Sequence, residues 1–269
     1  MKIKKLTAMA LIAASIGAAS QAHAHRAWML PSATVLSGDT AWVTMDGAVS
    51  NSLFYFEHHP LSFEQLEITD PKGDLIAAQN EATGKYRSVL DAELTTDGTY
   101  TFEIRNSGLF GMFKLKDKNV RWRGSVDEVS EIPAEAEDIR LFEVDRLMQV
   151  FVTKGAPTTE TFQTEGVGLE MVPVTHPNDL FTNETSEFQF LVDGKPATDL
   201  DVVLIRGGIR YRDQVDEIQL QTDAQGSIFV EWEEPGMYWL EAELEQAGKL
   251  LNNTKRRMSY SATLEVLPL

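Results

Sequence analysis

The order of apolar and polar positions is that of short strands separated by turns. Tyr100, Phe102 and Ile104 alternate with polar residues directly after the turn sequence Asp97-Gly98. Alternation puts every second side chain on one face of a strand, so this pattern predicts a half-buried strand. The same period recurs at 41–45, 188–192, 228–232, 238–240 and 260–266. Further turn signals stand at Asp46-Gly47, Asp193-Gly194 and Pro235-Gly236. Short strands at roughly ten-residue spacing predict an all-β protein built from β-sandwiches.

The middle of the chain interrupts this pattern. The stretch from Asp127 to Asp145 is acidic, and Pro133 stands where the first turn of a short helix over 132–137 would begin. A strand is predicted at 147–153, and the turn sequence from Gly155 to Thr158 ends it. We therefore predict two immunoglobulin-like or prealbumin-like β-sandwich domains. The first spans 25–155 and includes the acidic, partly helical connecting segment; the second spans 166–269.

The N-terminus has the form of a secretory signal peptide over residues 1–24. Three lysines precede an apolar stretch from Leu6 to Ala18, which is shorter than the about 20 residues of a membrane-spanning helix. A cut after Ala24 fits the small-residue rule best and leaves His25 first. A cut after Ala22 leaves His25 third, and a cut after Ser20 leaves a glutamine first. The prediction is a periplasmic protein that does not insert into the membrane after cleavage.

Composition narrows the function classes. The chain carries 24 Lys and Arg against 41 Asp and Glu, a net charge of −17, and loss of the signal lysines lowers this to −20. Such a surface repels nucleic acid and attracts cations. The chain has no cysteine, which excludes disulfides and thiolate metal sites. It also has no serine nucleophile elbow, phosphate-binding glycine loop or His-Glu-x-x-His helix, so we expect a binding protein and not an enzyme.

The candidate chemistry lies in the histidines, because neutral imidazole suits copper, nickel and zinc. A terminal His25 offers its α-amine and its ring, and one further histidine completes a three-nitrogen set suited to copper. As the third residue, His25 can instead join the amine and two backbone amides in the square-planar set that Cu(II) and Ni(II) prefer. The simpler alternative is a terminal histidine exposed by chance.

Three more histidines and one aspartate are candidate ligands. His58 and His59 precede Pro60, and neighbours on an extended segment point to opposite faces. We therefore expect one ring to face the site and the other to face solvent. His176 lies in a turn at the start of the second domain, where it can approach the first, with Asp179 as an oxygen ligand or a supporting partner. The alternatives are two surface histidines in a loop and a turn histidine without a partner.

Two motifs carry a resemblance to a known family. The mature start, His25 to Pro31, resembles the pattern His-x-x-Trp-Leu-x-Pro, with Met29 at the Leu position, and the stretch 169–173 matches Leu-Glu-x-Val-Pro. On these motifs the chain resembles the DUF4198 family, exported β-sandwich proteins related to the periplasmic component of nickel and cobalt uptake systems. The resemblance implies a periplasmic, metal-associated binding protein. It also implies a membrane transporter or outer-membrane receptor component as the partner that receives the metal.

The sequence thus predicts a periplasmic protein that binds a divalent transition metal, nickel, cobalt or copper with zinc as a further option, and assists its uptake or handling. One alternative is a metal-independent module that binds an envelope protein or a glycan. For a glycan platform Trp122, between Arg121 and Arg123, is the best candidate for an exposed tryptophan. A third alternative is a copper monooxygenase that uses the N-terminal histidine.

Overall fold

The structure is a computed structural model that describes residues 26–269. The predicted signal peptide and His25 lie outside the described residues. The first half forms β1 (Arg26–Pro31), β2 (Val35–Leu36), β3 (Ala41–Ser50), β4 (His59–Pro60), β5 (Leu66–Thr69), β6 (Leu75–Ile76), β7 (Gln79–Thr83), β8 (Ser88–Leu94), β9 (Gly98–Leu115), β10 (Lys118–Gly124) and β11 (Glu137–Lys154).

The second half forms β12 (Leu169–Pro173), β13 (Thr185–Val192), β14 (Lys195–Pro196), β15 (Asp201–Arg206), β16 (Ile218–Gln221), β17 (Ser227–Glu231), β18 (Gly236–Ala247) and β19 (Lys255–Val266). Two short 3₁₀ helices, Asp127–Glu131 and Ile209–Tyr211, are the helical segments of the described chain. The predicted all-β sandwich architecture is confirmed. None of the helical segments in 26–269 has the length and apolar character needed to cross a bilayer.

A ten-stranded sheet runs through both halves of the molecule. Its order is β16-β15-β18-β19-β11-β9-β5-β6, with β10 added to β9 and β2 added to β11. The halves meet where β11 and β19 pair in parallel, from Phe142 opposite Lys255 to Val150 opposite Thr263. The predicted boundary at 155–166 falls in the strandless segment between β11 and β12, while the central sheet continues across the halves.

Two smaller sheets cover the central sheet and enclose two cores. The sheet β1-β3-β8-β7, with β4 paired to β3, encloses the first core, to which β11 contributes Val150 and Val152. The sheet β12-β13-β14, with β17 paired to β13, encloses the second core, to which β11 contributes Leu147 and Phe151. Side chains on opposite faces of β11 therefore pack into different cores, so both halves of the protein are built on this one strand.

A third cluster of buried residues joins the halves beside β1. It contains Trp28, Ala48 and Leu53 from the first half and Ile205 and Trp239 from the second. The Trp239 Nε1–H donates to the Ala27 carbonyl at 3.1 Å, so the large ring is buried with its polar atom satisfied. This cluster fixes the N-terminal strand against the second half.

Two local predictions are wrong. The predicted turn at Asp46-Gly47 lies inside β3, where Gly47 is needed because a Cβ atom there would stand 2.6 Å from the Phe63 ring. The predicted helix over 132–137 is replaced by the 3₁₀ helix Asp127–Glu131 and a turn. There β11 begins at Glu137, because pairing with β9 outweighs the local preference for helix.

Candidate functional site

The predicted pair His58 and His59 lies at the end of a loop that connects β3 to β4. The loop is closed at its base by Glu57, whose carboxylate accepts the backbone N–H of Asn51 at 2.9 Å and of Ser52 at 2.7 Å. The chain then returns beside β3, with His59 opposite Val49. A short, hydrogen-bonded loop therefore presents the two histidines at one edge of the covering sheet.

The two imidazoles lie side by side. Their ring centroids are 5.3 Å apart with an interplanar angle of 44°, and both residues are exposed. The expectation that the rings point to opposite faces is wrong, because the chain bends at His58 and is not a regular strand there. His59 Nδ1 lies 3.0 Å from the Pro60 carbonyl, to which it donates, and this leaves Nε2 as the nitrogen with a free lone pair.

Aromatic residues anchor this loop to both halves of the protein. Phe54 and Phe56 pack on Trp28 with ring centroids 5.4 and 5.5 Å apart. Phe54, with a φ of 60°, also lies against Gly207, where an added Cβ atom would be 2.8 Å from its ring. The strained backbone at Phe54 is therefore held by packing on both sides, and the histidines that follow it are presented on a fixed base.

The strand that follows His25 is fixed next to this loop. Arg26, opposite Ser50 in β3, forms an ion pair with Glu217 at 3.2 Å and lies over the Trp239 ring at 5.6 Å. In the next position Val49 pairs with Ala27 on one side and with His59 on the other. Since neighbouring strands are about 4.8 Å apart, β1 and His59 are separated by roughly 10 Å.

Glu241 is a titratable residue beside β1, and the sequence did not single it out. Burial, with repulsion from Glu243 as a second cause, raises the pKa of its carboxyl to about 7, while Arg26 and Arg146 oppose the rise. Glu241 and Trp239 are on the same face of β18 because they are two residues apart. Arg26 and Glu217 were missed as well, and their pairing over 191 residues leaves no local signal in the sequence.

His176 lies in a different place and in a different environment. Its Nε2 lies 2.9 Å from the Thr99 hydroxyl and 3.1 Å from the Thr158 carbonyl, and its Nδ1 accepts the Asn178 N–H at 3.1 Å. Because Nδ1 accepts, the proton is on Nε2. Burial lowers the pKa of His176, although the Thr158 bond and the charge of Asp179 act against it. The ring is therefore neutral and both of its nitrogens are hydrogen-bonded within the protein, which indicates a structural role and not a metal-binding one.

The structure does not bring His176 and Asp179 to the histidine pair. His176 contacts Thr99, and the Thr99 hydroxyl in turn bonds to that of Thr153. The next residue, Lys154, donates from its ammonium group to the carbonyl of Thr95, which directly follows the residue that pairs with Ala41 at the start of β3. His59 pairs near the other end of β3, so roughly 25 Å of strand separates the two places. Asp179 is exposed and offers its backbone N–H to the His176 carbonyl. The candidate ligand set therefore reduces to His58, His59 and the undescribed His25.

Within residues 26–269, no group of three or more His, Asp or Glu side chains is arranged to hold a metal ion. The tryptophans also differ from expectation. Trp28, Trp232 and Trp239 are buried, but Trp42 is 43% exposed while Trp122 is half-buried. Trp122 packs across Gly111, where an added Cβ atom would be 3.3 Å from its ring, so it is not the most exposed of the five.

Comparisons with known proteins give a family and, among solved structures, distant similarity. The profile of a family described as "Domain of unknown function (DUF4198)" matches residues 22–246. No curated protein matches the chain. Among solved structures, the "D0-D1 domain of Intimin" is similar at 9% sequence identity, over 86% of this chain and 96% of that one, with a TM-score of 0.21. A TM-score this low supports no argument about function.

Proposed function

The chain belongs to the DUF4198 family, and from this premise we propose that it is a periplasmic protein that binds a divalent transition metal through His58, His59 and His25. The observation that supports the proposal is the exposed pair of imidazoles with centroids 5.3 Å apart. In this proposal the protein is a metal carrier and not an enzyme.

The spacing of the pair suits a shared ion. Metal–nitrogen distances of about 2.0–2.1 Å put the centroids of two imidazoles on one metal roughly 4.5–6.5 Å apart, depending on the angle at the metal. The 5.3 Å separation falls inside this range. The bond from His59 Nδ1 to the Pro60 carbonyl is the kind of support that orients a metal-binding histidine and directs Nε2 outward.

His25 is the proposed source of the remaining donors. It precedes Arg26 directly, and consecutive Cα atoms are about 3.8 Å apart. Arg26 is held by Glu217 and by Trp239 within roughly 10 Å of the histidine pair, as described above. After cleavage at Ala24, the amine and ring of His25 would add two nitrogens to the two imidazoles. That donor set favours copper, while the family resemblance favours nickel or cobalt.

The surrounding charge supports a cation as the ligand. The net charge of −17 attracts cations to the surface as a whole. The nearby Arg26 and Arg87 are paired with Glu217 and Asp46 at 3.2 Å, which reduces their repulsion of an ion. In the proposed pathway the loaded protein delivers its ion to a membrane transporter or outer-membrane receptor component.

Native mass spectrometry on protein exported by its own signal tests the proposal. It reports the mature N-terminus and the metal stoichiometry in one spectrum, after stripping and reloading with Cu(II), Ni(II), Co(II) or Zn(II). We expect one tightly held ion per chain, lost in the double variant His58→Ala, His59→Ala and in His25→Ala. His176→Gln is the matched control and should keep the ion. Retention of the ion by the double variant, or absence of binding by the wild type, would refute the proposal and favour a metal-independent interaction module.

A further inference from the structure

The long strands β9 and β11 carry the central sheet beyond the two covering sheets, and one face of this extension is basic. Two rows of side chains lie on it. Arg123, Phe110, Phe142 and Lys255 are successive cross-strand partners on β10, β9, β11 and β19, and Arg121, Met112 and Arg140 form the next row. Cross-strand partners share a face, so both rows point to the same side.

We call this surface the basic face, defined by Arg121, Arg123, Arg140, Lys255 and Arg257. All five residues are exposed, and Met112 between them is 46% exposed. The ion pairs nearby join Lys114 to Asp138, and both Lys255 and Arg257 to Glu245. Within the described part of the chain, no ion pair includes Arg121, Arg123 or Arg140. A concentrated, incompletely paired positive charge is exceptional in a protein of net charge −17.

Aromatic rings hold two of the guanidinium groups in place. Arg123 lies 5.1 Å from the Phe110 centroid and Arg257 lies 4.9 Å from the Phe142 centroid. The two rings stack on each other at 6.2 Å. A stacked guanidinium keeps its N–H groups free for a carboxylate or phosphate, so the rings preorganise cations for an anionic partner.

The edge of this surface favours an extended partner. In the described residues β10 pairs only with β9, so its other side offers open backbone groups for an added strand. Arg121 and Arg123 are two residues apart on β10, which is also the spacing of alternate side chains on an added strand. An open cleft of about 630 Å³ between Arg140, Phe142, Lys255 and Arg257 continues the surface towards β19.

We infer that the basic face binds an extended acidic segment of a partner protein, which adds a strand at β10 and places alternate carboxylates on Arg121 and Arg123. Charge complementarity selects an acidic partner, and backbone pairing selects an extended one. An anionic lipid surface fits less well, because it extends beyond β10 and would also face the acidic segment around Asp127, Glu128 and Glu131, whereas an added strand contacts β10 alone. This inference is independent of the proposed metal site.

Fluorescence anisotropy with the full mature chain tests the inference. The probe is a labelled peptide of alternating glutamate and threonine, and the matched probe replaces glutamate by glutamine. The triple variant Arg121→Gln, Arg123→Gln, Arg140→Gln should bind the acidic probe about tenfold more weakly. The triple variant Lys72→Gln, Lys85→Gln, Lys195→Gln removes the same charge from exposed positions elsewhere and should bind within about twofold of the wild type.

Two further arms identify the chemistry. Substitution of the three arginines by lysine should restore part of the affinity, and the glutamine probe should not bind. Equal weakening by both triple glutamine variants would overturn the inference, since it would show only a response to net charge. Binding of phosphatidylglycerol vesicles through the three arginines, without binding of the acidic peptide, would also overturn it and identify a lipid surface.

Discussion

The two histidine sites of the described chain differ in what their nitrogens contact. At His176 both nitrogens are occupied by Thr99, Thr158 and Asn178, and burial lowers its pKa. At His59 one nitrogen is engaged by its own neighbour's carbonyl and the residue is exposed. The same side chain therefore acts as a structural connector where its Nε2 is held by residues distant in sequence. It remains available to a ligand where its one partner is local.

The largest effect is expected from removal of the half-buried histidine. His176→Ala should lower the free energy of unfolding by about 2–3 kcal/mol, because the Thr158 carbonyl and the Asn178 N–H lose the ring nitrogens that they contact. Urea denaturation at neutral pH measures this. A loss below about 0.5 kcal/mol would show that water replaces the ring at no cost and that the buried network is not structural.

A smaller effect of the opposite sign is expected at a half-buried group without such partners. Glu241 makes no side-chain hydrogen bond within 26–269, and burial raises the pKa of its carboxyl to about 7. At low pH the carboxyl is protonated in both the folded and the unfolded state and costs no stability. The free energy of unfolding falls as the pH rises through the raised folded-state pKa, because the buried group must then carry a charge. Glu241→Gln should therefore stabilise the protein by about 1–2 kcal/mol at pH 8 and by little at pH 4.5.

Urea denaturation of Glu241→Gln across this pH range is the measurement. Glu231→Gln, at an exposed position of β17, is the matched control and should change the pH profile much less. An identical pH dependence of wild type and Glu241→Gln would show that the Glu241 carboxyl has an ordinary pKa. It would contradict the prediction that half-burial without a hydrogen-bond partner makes this carboxylate destabilising.

The smallest effect on stability is expected at the exposed pair. Without metal, the double variant His58→Ala, His59→Ala should have a free energy of unfolding within about 0.5 kcal/mol of that of the wild type, because both rings are exposed. The measurement is thermal unfolding of stripped protein, with and without added metal. We expect metal to stabilise the wild type and not the variant. A strongly destabilised apo variant would mean that the pair, like His176, is structural.

The alternation of side chains was sufficient to predict the fold class. It failed at Gly47, where the need for glycine comes from the ring of Phe63 and not from a turn. The candidate site was harder to predict, because the two partners of His176 Nε2 lie 77 and 18 residues away along the chain and only the partner of Nδ1, Asn178, is local. Nothing near His176 in the sequence indicates that its Nε2 is occupied. The basic face was equally hidden, since its residues come from three strands and the total charge is negative.

The contacts between the first and last strands have a consequence for the order of folding. The Thr263 hydroxyl donates to the Met29 carbonyl across 234 residues, and Glu265 binds Thr34 across 231. Such contacts give the chain a high contact order, which slows folding. A chain made N-terminus first can pair β1 with β3 early, but it cannot form the contacts of β1 with β18 and β19 until those strands have been made. The complete setting of the proposed metal site should therefore form late, after the last strand is in place.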